Sequence, residues 1–450
     1  MNLGACGIII RGGYMLFITL YFLGCGDIAE HVPNPFELSP DEAVKEKIFV
    51  AGSGPSSTDP DQLVGKIMVI SHGGRDDLAV KGPIETSLLG ETAVATGGHV
   101  YISNPESGSV TAIFAATDSV EGVVRVGIRP EKVARDPSGQ FVFVANQGVV
   151  GDARADSVSV IDAVPTTTTF LHEIGRIQVE DSTSDITFST RRDRVFVSNR
   201  LSGTISVIDM DQANVSSFLS TMVSIPVGPS PGVMTYSSTS GHVYAILRFP
   251  TTSDSIAIID ADSLGTPELV SGIPRGNAAG EIPQASFLQA SRSGNFIWVA
   301  FSIQASSSGG IGVIDAATDT LVSRLDLSFS PSRLVEADDE KLFISGGEGT
   351  DAILVVDASV PTALREVTRI GVGVAGRDRK LAISFDRTRI YVPNVGETSG
   401  SVSVIDVSTN AVFAIIPTDG VNPHAIVSIE ASGLEAPDDD AGADQGHDHG

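Results

Sequence analysis

The chain has 450 residues, of which 42% are hydrophobic and 19% charged, and its formal net charge at pH 7 is −26. This charge argues against a nucleic-acid partner, because such binding is driven by Lys and Arg side chains that neutralise phosphates. The 47 glycines favour a fold with many turns over one built from long helices.

Residues 1–24 are predicted to be a lipoprotein signal peptide. Arg11 supplies a positive flank, and a mostly apolar run follows at 14–23. That run is too short to cross a bilayer core of roughly 30 Å as a helix, but it suits the core of an export signal.

The signal ends with the sequence FLGC at 22–25, which resembles the lipobox of bacterial lipoproteins, with Phe22 where leucine is usual. The resemblance implies that Cys25 is acylated, becomes the mature N-terminus and holds the protein on a membrane. In lipoproteins that this chain resembles, an aspartate after the cysteine favours retention in the inner membrane. Gly26 therefore indicates the outer membrane of the cell envelope, facing either the periplasm or the cell surface. The other cysteine, Cys6, lies in the removed segment, so we expect no internal disulfide.

Residues 25–46 are interpreted as the lipidated cysteine and an extended tether, because Pro33, Pro35 and Pro40 lie there among polar residues.

Six short segments of the chain end alike, in a β-branched run that closes on aspartate, and successive closing aspartates are 47, 51, 55, 42 and 49 residues apart. A repeat of this length is one supersecondary unit that buries its apolar face by stacking on its neighbours. The six segments are 158–162, 205–209, 256–260, 311–315, 353–357 and 402–406.

One repeat, residues 130–179, shows how each unit is built. Strands are predicted at 130–136, 141–146, 158–162 and 171–179, with turns between them and no helical period. Four short antiparallel strands describe a blade of a β-propeller. The order of strand, turn, FVFVAN at 141–146, loop and VSVID at 158–162 resembles the YVTN family of β-propeller repeats. That resemblance covers residues 47–432 and implies an all-β propeller domain of four-stranded antiparallel blades.

An incomplete copy at each end predicts how the propeller closes. Residues 48–51 and 66–70 match second and third strands with no first strand before them, whereas 424–429 match a first strand with nothing after it. Pairing of the N- and C-terminal strands would complete this blade and hide the open sheet edges. The count is then eight blades; the alternative is seven, with the first copy outside the ring. We expect the closed ring to be a monomer.

The repeated polar residues are predicted to serve the fold. The closing aspartates can accept turn N–H groups, and Asn104, Asn146, Asn199 and Asn394 are explained in the same way. His99 and His242 occupy one turn position in two repeats, so both are expected to be surface turn residues.

A ligand site is predicted at the mouth of the central channel, on the face made by loops before the first strand and after the second strand of each blade. Residues there differ between blades while the scaffold repeats, which is how a binding surface is individualised. The predicted binding residues are Glu131, Lys132, Asp185, Gln284, Arg333, Arg379 and His424.

These features favour a membrane-anchored binding platform for a protein, glycan or small-molecule ligand, with no resident cofactor and no catalytic constellation. The alternative is a hydrolase, because lactonases that resemble phosphogluconolactonase share a related propeller. In that alternative Glu131, Asp185 and His424 would supply the acid, base or ligands, with a divalent cation in the channel.

Residues 433–450 carry six acidic residues and no basic one, so a disordered, solubilising tail is expected. The alternative is metal binding by His447 and His449, together with the carboxylates at 438–440, since imidazole and carboxylate suit divalent ions.

Overall fold

A computed structural model describes residues 46–430, except 59–62, 73–77, 87–91, 150–155, 214–215, 250–253, 265–267, 271–282, 304–306, 339–340, 348–349, 375–379 and 397–398. The predictions for Cys25, Arg379, His447 and His449, for the side chain of His424, and for segments 1–24, 25–45 and 433–450, lie outside what the structure describes. Helical structure in the described part is a single 3-10 turn, Pro361–Ala363. None of it forms a helix long and apolar enough to cross a membrane.

The strands form eight separate four-stranded antiparallel sheets, so the protein is an eight-bladed β-propeller. The blade that closes the ring, blade 8, begins with β1 (Glu46–Pro55), β2 (Leu63–His72) and β3 (Leu78–Thr86). Blade 1 contains β4 (Ala93–Thr96), β5 (His99–Asn104), β6 (Ser109–Phe114) and β7 (Ser119–Arg125). Blade 2 contains β8 (Pro130–Arg135), β9 (Phe141–Asn146), β10 (Ser157–Asp162) and β11 (Glu173–Gln178). Blade 3 contains β12 (Thr183–Ser189), β13 (Arg194–Asn199), β14 (Thr204–Asp209) and β15 (Thr221–Pro226).

The same arrangement continues through blades 4 to 7. Blade 4 contains β16 (Pro231–Tyr236), β17 (His242–Leu247), β18 (Ser255–Asp260) and β19 (Glu268–Val270), and blade 5 contains β20 (Pro283–Ala290), β21 (Phe296–Ile303), β22 (Gly309–Asp315) and β23 (Thr320–Leu327). Blade 6 contains β24 (Pro331–Asp338), β25 (Lys341–Gly346), β26 (Ala352–Asp357) and β27 (Arg365–Gly371). Blade 7 contains β28 (Ala382–Ile383), β29 (Arg389–Asn394), β30 (Ser401–Asp406) and β31 (Ala411–Pro417). The last strand, β32 (Asn422–Glu430), is the innermost strand of blade 8.

The hydrophobic core lies between the faces of neighbouring blades. Middle strands such as β9 and β10 are buried along almost their whole length, whereas outer strands such as β11 alternate between exposed and covered residues. One core cluster joins Phe143 and Val160 of blade 2 to Ile186 and Val197 of blade 3. This explains the continuous β-branched runs of the middle strands, which are covered on both faces.

The ring closes through the two ends of the chain, as the sequence predicted. Strand β32 pairs with β1 in antiparallel register, with Ile48 opposite Ser428 and Val50 opposite Ile426. Inner strands of neighbouring blades contact one another all the way round, including β32 with β4. The prediction of eight blades is confirmed, and the alternative of seven is wrong because the first copy belongs to the ring.

Two buried charged residues at the start of β1 tie the closing blade to both of its neighbours. The Lys47 ammonium donates to the Ala115 carbonyl at 2.7 Å and pairs with the Asp118 carboxylate at 2.7 Å, both in blade 1. The Glu46 carboxylate accepts the N–H of Phe385 in blade 7 at 2.9 Å. Burial raises the pKa of Glu46 above its ordinary value.

The turn role of the closing aspartates is confirmed. Each accepts a backbone N–H from the turn that follows it, at distances of 2.8 to 3.0 Å. The six are Asp162, Asp209, Asp260, Asp315, Asp357 and Asp406.

The repeated asparagines act differently from the prediction. Each side-chain amide donates across to two hydroxyl groups on the third strand of its own blade, so these residues clip strands two and three together and are not turn residues. Asn146, for example, donates to Ser157 Oγ at 3.2 Å and Ser159 Oγ at 2.9 Å. The same clip is made by Asn104, Asn199 and Asn394.

The prediction that His99 and His242 are surface turn residues is wrong for His99, which is buried against the Phe114 ring and contacts Glu121. His242 is half-buried, and its Nδ1 lies 2.9 Å from Asp319 Oδ2 in the next blade. At this position His242 contacts the next blade, and the His99 ring also lies against Phe170 of blade 2, contacts that a single repeat read alone does not reveal.

Asp406 differs from the other closing aspartates because it also pairs with Arg389, a fully buried guanidinium stacked 4.3 Å above the Phe413 ring. Burial raises the pKa of Asp406, but hydrogen bonds from Ser408, Thr409 and Arg389 outweigh it and leave the pKa well below the ordinary value.

We therefore expect Asp406→Asn to lower the free energy of unfolding by about 2–3 kcal/mol at neutral pH, because the buried Arg389 loses its ion pair with this carboxylate. Since the folded pKa is depressed, this stabilisation is present above the ordinary aspartate value of 3.8 and is lost as pH falls through the folded value. The gap between wild type and variant should then shrink in urea unfolding measured at successively lower pH. Asp357→Asn is the matched control, since its partner Arg365 is largely exposed. An equal loss in both variants would contradict this account.

Candidate functional site

The mouth of the channel is formed where the inner strands begin, and most of these strands carry a β-bulge there. The bulge lies between Pro130 and Lys132 in β8 and between Pro331 and Arg333 in β24. Bulges of this kind re-aim side chains at the ends of sheets. The residues inside the bulges of β8, β12, β20, β24 and β32 are Glu131, Ser184, Ser286, Ser332 and the backbone of His424. In blade 5 the position equivalent to Glu131 is therefore Ser286, and Gln284 lies two residues earlier.

Lys132 and Asp185 come together and link three blades. The Lys132 ammonium of blade 2 lies 3.1 Å from Asp185 Oδ1 of blade 3, and Asp185 Oδ2 accepts the N–H of Met234 in blade 4 at 2.8 Å. Asp185 is buried, whereas 40% of the Lys132 side chain is exposed. Both oxygens of Asp185 are thus engaged in holding inner strands together.

Arg333 and Glu131 also make contacts between blades. The Arg333 guanidinium of blade 6 stacks 4.9 Å from the centre of the Phe287 ring in blade 5. The Glu131 carbonyl accepts the Thr92 hydroxyl of the preceding blade at 2.9 Å. Of the predicted mouth residues, Lys132 and Asp185 therefore contact each other, whereas Glu131 and Arg333 contact other residues of neighbouring blades.

Gln284 is the predicted residue that lines a cavity. A cleft of about 540 Å³ lies on the mouth face at the boundary between blades 4 and 5. It is lined by Pro229, Ser230, Arg248, Phe249, Asp254, Gln284, Ala285, Ser286 and Ser302.

The floor of this cleft is fixed by a buried carboxylate. Asp254 is 2% exposed; its Oδ1 accepts the N–H of Phe249 at 3.1 Å and its Oδ2 accepts the N–H of Ala285 at 2.9 Å. Burial raises the pKa of Asp254 above its ordinary value, and the two hydrogen bonds oppose that rise. Asp254 therefore joins the loop of blade 4 to the inner strand of blade 5.

The two blades beside the cleft depart from the repeat in the same place. The position of the asparagine clip, opposite the start of the third strand, is held by the buried side chains Leu247 in blade 4 and Phe301 in blade 5. An apolar residue cannot bond the facing strand as Asn146 does, so the local structure on the mouth face of these blades differs from that of blades 1, 2, 3 and 7.

The predicted site residues did not include Arg248, Asp254 or Ser302, although all three follow predicted second strands, in the loops that were predicted to form this face, and one of them carried a further signal. Asp254 stands directly before a third strand, SIAIID, just as the buried Asp156 stands before SVSVID in blade 2. Among the described residues, no three His, Cys, Asp or Glu side chains are grouped so that they could hold a metal ion.

The chain is similar in structure to several β-propeller proteins. Dihydro-heme d1 dehydrogenase NirN in complex with DHE matches with a TM-score of 0.60 and 15% identity, over 84% of this chain and 74% of that one. AztD from Citrobacter koseri matches with a TM-score of 0.58 and 12% identity, over 86% and 99%. Hydrazine synthase from Kuenenia stuttgartiensis matches with a TM-score of 0.53 and 21% identity, over 72% and 97%. At these identities the likeness shows the propeller fold alone.

No protein-family model matches the sequence, and no curated protein matches it.

The geometry around Asp185 predicts a structural role for that residue. We expect Asp185→Ala to lower the free energy of unfolding by about 1–3 kcal/mol, because the buried Met234 N–H loses its acceptor. Lys132→Met, which removes the half-exposed partner of the same carboxylate, should cost less than about 1 kcal/mol. Chemical unfolding of both variants tests this, and an Asp185→Ala protein as stable as Lys132→Met would refute it.

Proposed function

We propose that the protein is a lipid-anchored propeller of the bacterial cell envelope that binds a ligand on its mouth face, in the cleft between blades 4 and 5. The observation that carries this proposal is the cleft itself. It lies on the face where the sequence predicted binding, it includes the predicted residue Gln284, and its volume is in the range typical of small-molecule sites, about 300–1,000 Å³.

The sequence near the N-terminus supports the proposed location of the protein. The lipobox-like FLGC at 22–25 supports acylation of Cys25, and Gly26 supports the outer membrane as its location. The first strand begins at Glu46, so residues 26–45 separate the lipidated cysteine from the propeller. Twenty residues of extended chain reach up to about 70 Å, which would let the propeller work clear of the membrane surface.

The character of the repeat supports a binding role over catalysis. The order of strand motifs places the chain near the YVTN type of propeller repeat, and its recurrent polar groups are used in turns, clips and contacts between blades. Asp185, a candidate acid or base of the hydrolase alternative, has both carboxylate oxygens engaged with neighbouring blades. Variation between blades is instead concentrated at the mouth, where Arg248, Gln284 and Ser302 surround the cleft.

The proposed function is tested by asking whether a variant with a blocked cleft still captures the ligand from envelope extracts. We expect Ser302→Trp to abolish capture of the ligand from envelope extracts, because the indole would fill the cleft, while the exposed-site control Glu106→Trp retains it. Cys25→Ser should release the protein from membrane pellets into the soluble fraction without changing capture. Capture that is the same in Ser302→Trp and wild type would refute the site, and membrane association that survives Cys25→Ser would refute the anchor.

A further inference from the structure

We propose that the cleft between blades 4 and 5 binds a sugar acid, such as a uronic acid, whose carboxylate pairs with Arg248. This inference rests on the proposed function, since it names the ligand class of the same cleft. It follows from three properties of the lining: one cation whose guanidinium makes no hydrogen bond to the described residues, several groups suited to hydroxyls, and an apolar wall.

Arg248 is the only cation among the described residues that line the cleft. Its backbone is fixed, because its N–H donates to the Ser230 carbonyl at 3.4 Å, while its side chain is exposed and its guanidinium makes no hydrogen bond to the described residues. A guanidinium presents paired N–H donors that match a carboxylate bidentately. In a chain with a net charge of −26, the overall field repels anions, so an anionic ligand needs such a local cation.

The nearby carboxylate does not occupy Arg248. Both oxygens of Asp254 point to backbone groups, the N–H of Phe249 and the N–H of Ala285, in the buried floor of the cleft. Asp254 attracts Arg248 through its charge but makes no hydrogen bond to the guanidinium, whose N–H donors face the cleft without a hydrogen-bond partner among the described residues. A carboxylate group would complete the hydrogen bonding of Arg248 without displacing an existing partner.

The remaining polar lining suits a polyhydroxylated molecule. The Gln284 amide offers both a donor and an acceptor and makes no hydrogen bond with the described residues, and Ser230 is a second lining residue that carries a polar side chain. The Ser302 hydroxyl donates to the Gln284 carbonyl at 3.4 Å, a long bond that a ligand can replace. Sugar hydroxyls donate and accept at once, as these groups require.

The third property is apolar surface. Phe249 is a half-buried residue of the lining, and Pro229 lies exposed on the rim. A simple anion such as phosphate or sulfate would use Arg248 and leave this surface and the Gln284 amide unmatched. A sugar acid carries C–H faces for the apolar wall, hydroxyls for the polar groups and one carboxylate for the cation.

Titration with D-glucuronate and D-glucose, followed by NMR of the labelled protein, tests the inference, because the two sugars differ only in a carboxylate against a hydroxymethyl group. We expect glucuronate to bind at least about ten-fold more tightly than glucose, and Arg248→Gln to weaken glucuronate binding by about ten-fold or more. Arg200→Gln is the matched control. The N–H of Arg200 bonds the Ser182 carbonyl at the equivalent turn of blade 3, and Arg200 does not line the cleft, so binding should be unchanged.

Methyl β-D-glucuronide distinguishes a sugar acid within a polysaccharide from a free sugar acid. Binding equal to glucuronate would indicate a residue within a polysaccharide, and binding of free glucuronate alone would indicate a monomer; either supports the proposal. Glucose binding as tight as glucuronate, no glucuronate binding, or an unchanged Arg248→Gln would overturn it. The proposed function would still stand if Ser302→Trp abolished envelope capture, and it would fail independently if that capture were unaffected.

Discussion

The pairing of β32 with β1 is the contact on which the rest of the structure depends. Each blade exposes apolar faces on both sides, and only a closed ring covers all of them. This one antiparallel pair joins the two ends of the described chain, and Lys47 and Glu46 then hold the completed blade to blades 1 and 7 through buried hydrogen bonds. The mouth of the channel has a defined shape because this ring is closed.

Within that ring, one set of residues repeats in many blades and maintains the fold, and a different set varies between blades. Aspartates such as Asp406 close turns, and asparagines such as Asn146 clip strands, so these polar groups recur without forming a site. The cleft appears where the repeat changes, next to Leu247 and Phe301. A rigid scaffold with local departures from its repeat is a simple physical route from a repeat protein to a ligand site.

The sequence predicted what local pattern encodes: the strands of blade 2 within a few residues, the turn role of the aspartates, eight blades and the terminal closure. It could not predict contacts between blades, because these join residues far apart in the chain whose types are not individually distinctive. The contact of the His99 ring with Phe170 of blade 2, and the convergence of Arg248 with Gln284 and Ser302, are of this kind. The asparagine clip was missed for a local reason, since the same side chain serves turns and strand pairs equally well.

Disulfide trapping across the closing pair tests the central claim most directly. In a cysteine-free chain that begins at Gly26, the double substitution Ile48→Cys and Ser428→Cys places two thiols on residues directly opposite in the β1–β32 register. The account predicts that this pair oxidises readily in the native protein and raises its thermal midpoint, whereas Ile48→Cys with Val427→Cys, slipped by one residue to the other face of the strand, does not. A native, folded protein in which the matched pair fails to form, or forms no better than the slipped pair, would contradict closure of the ring by its own two ends.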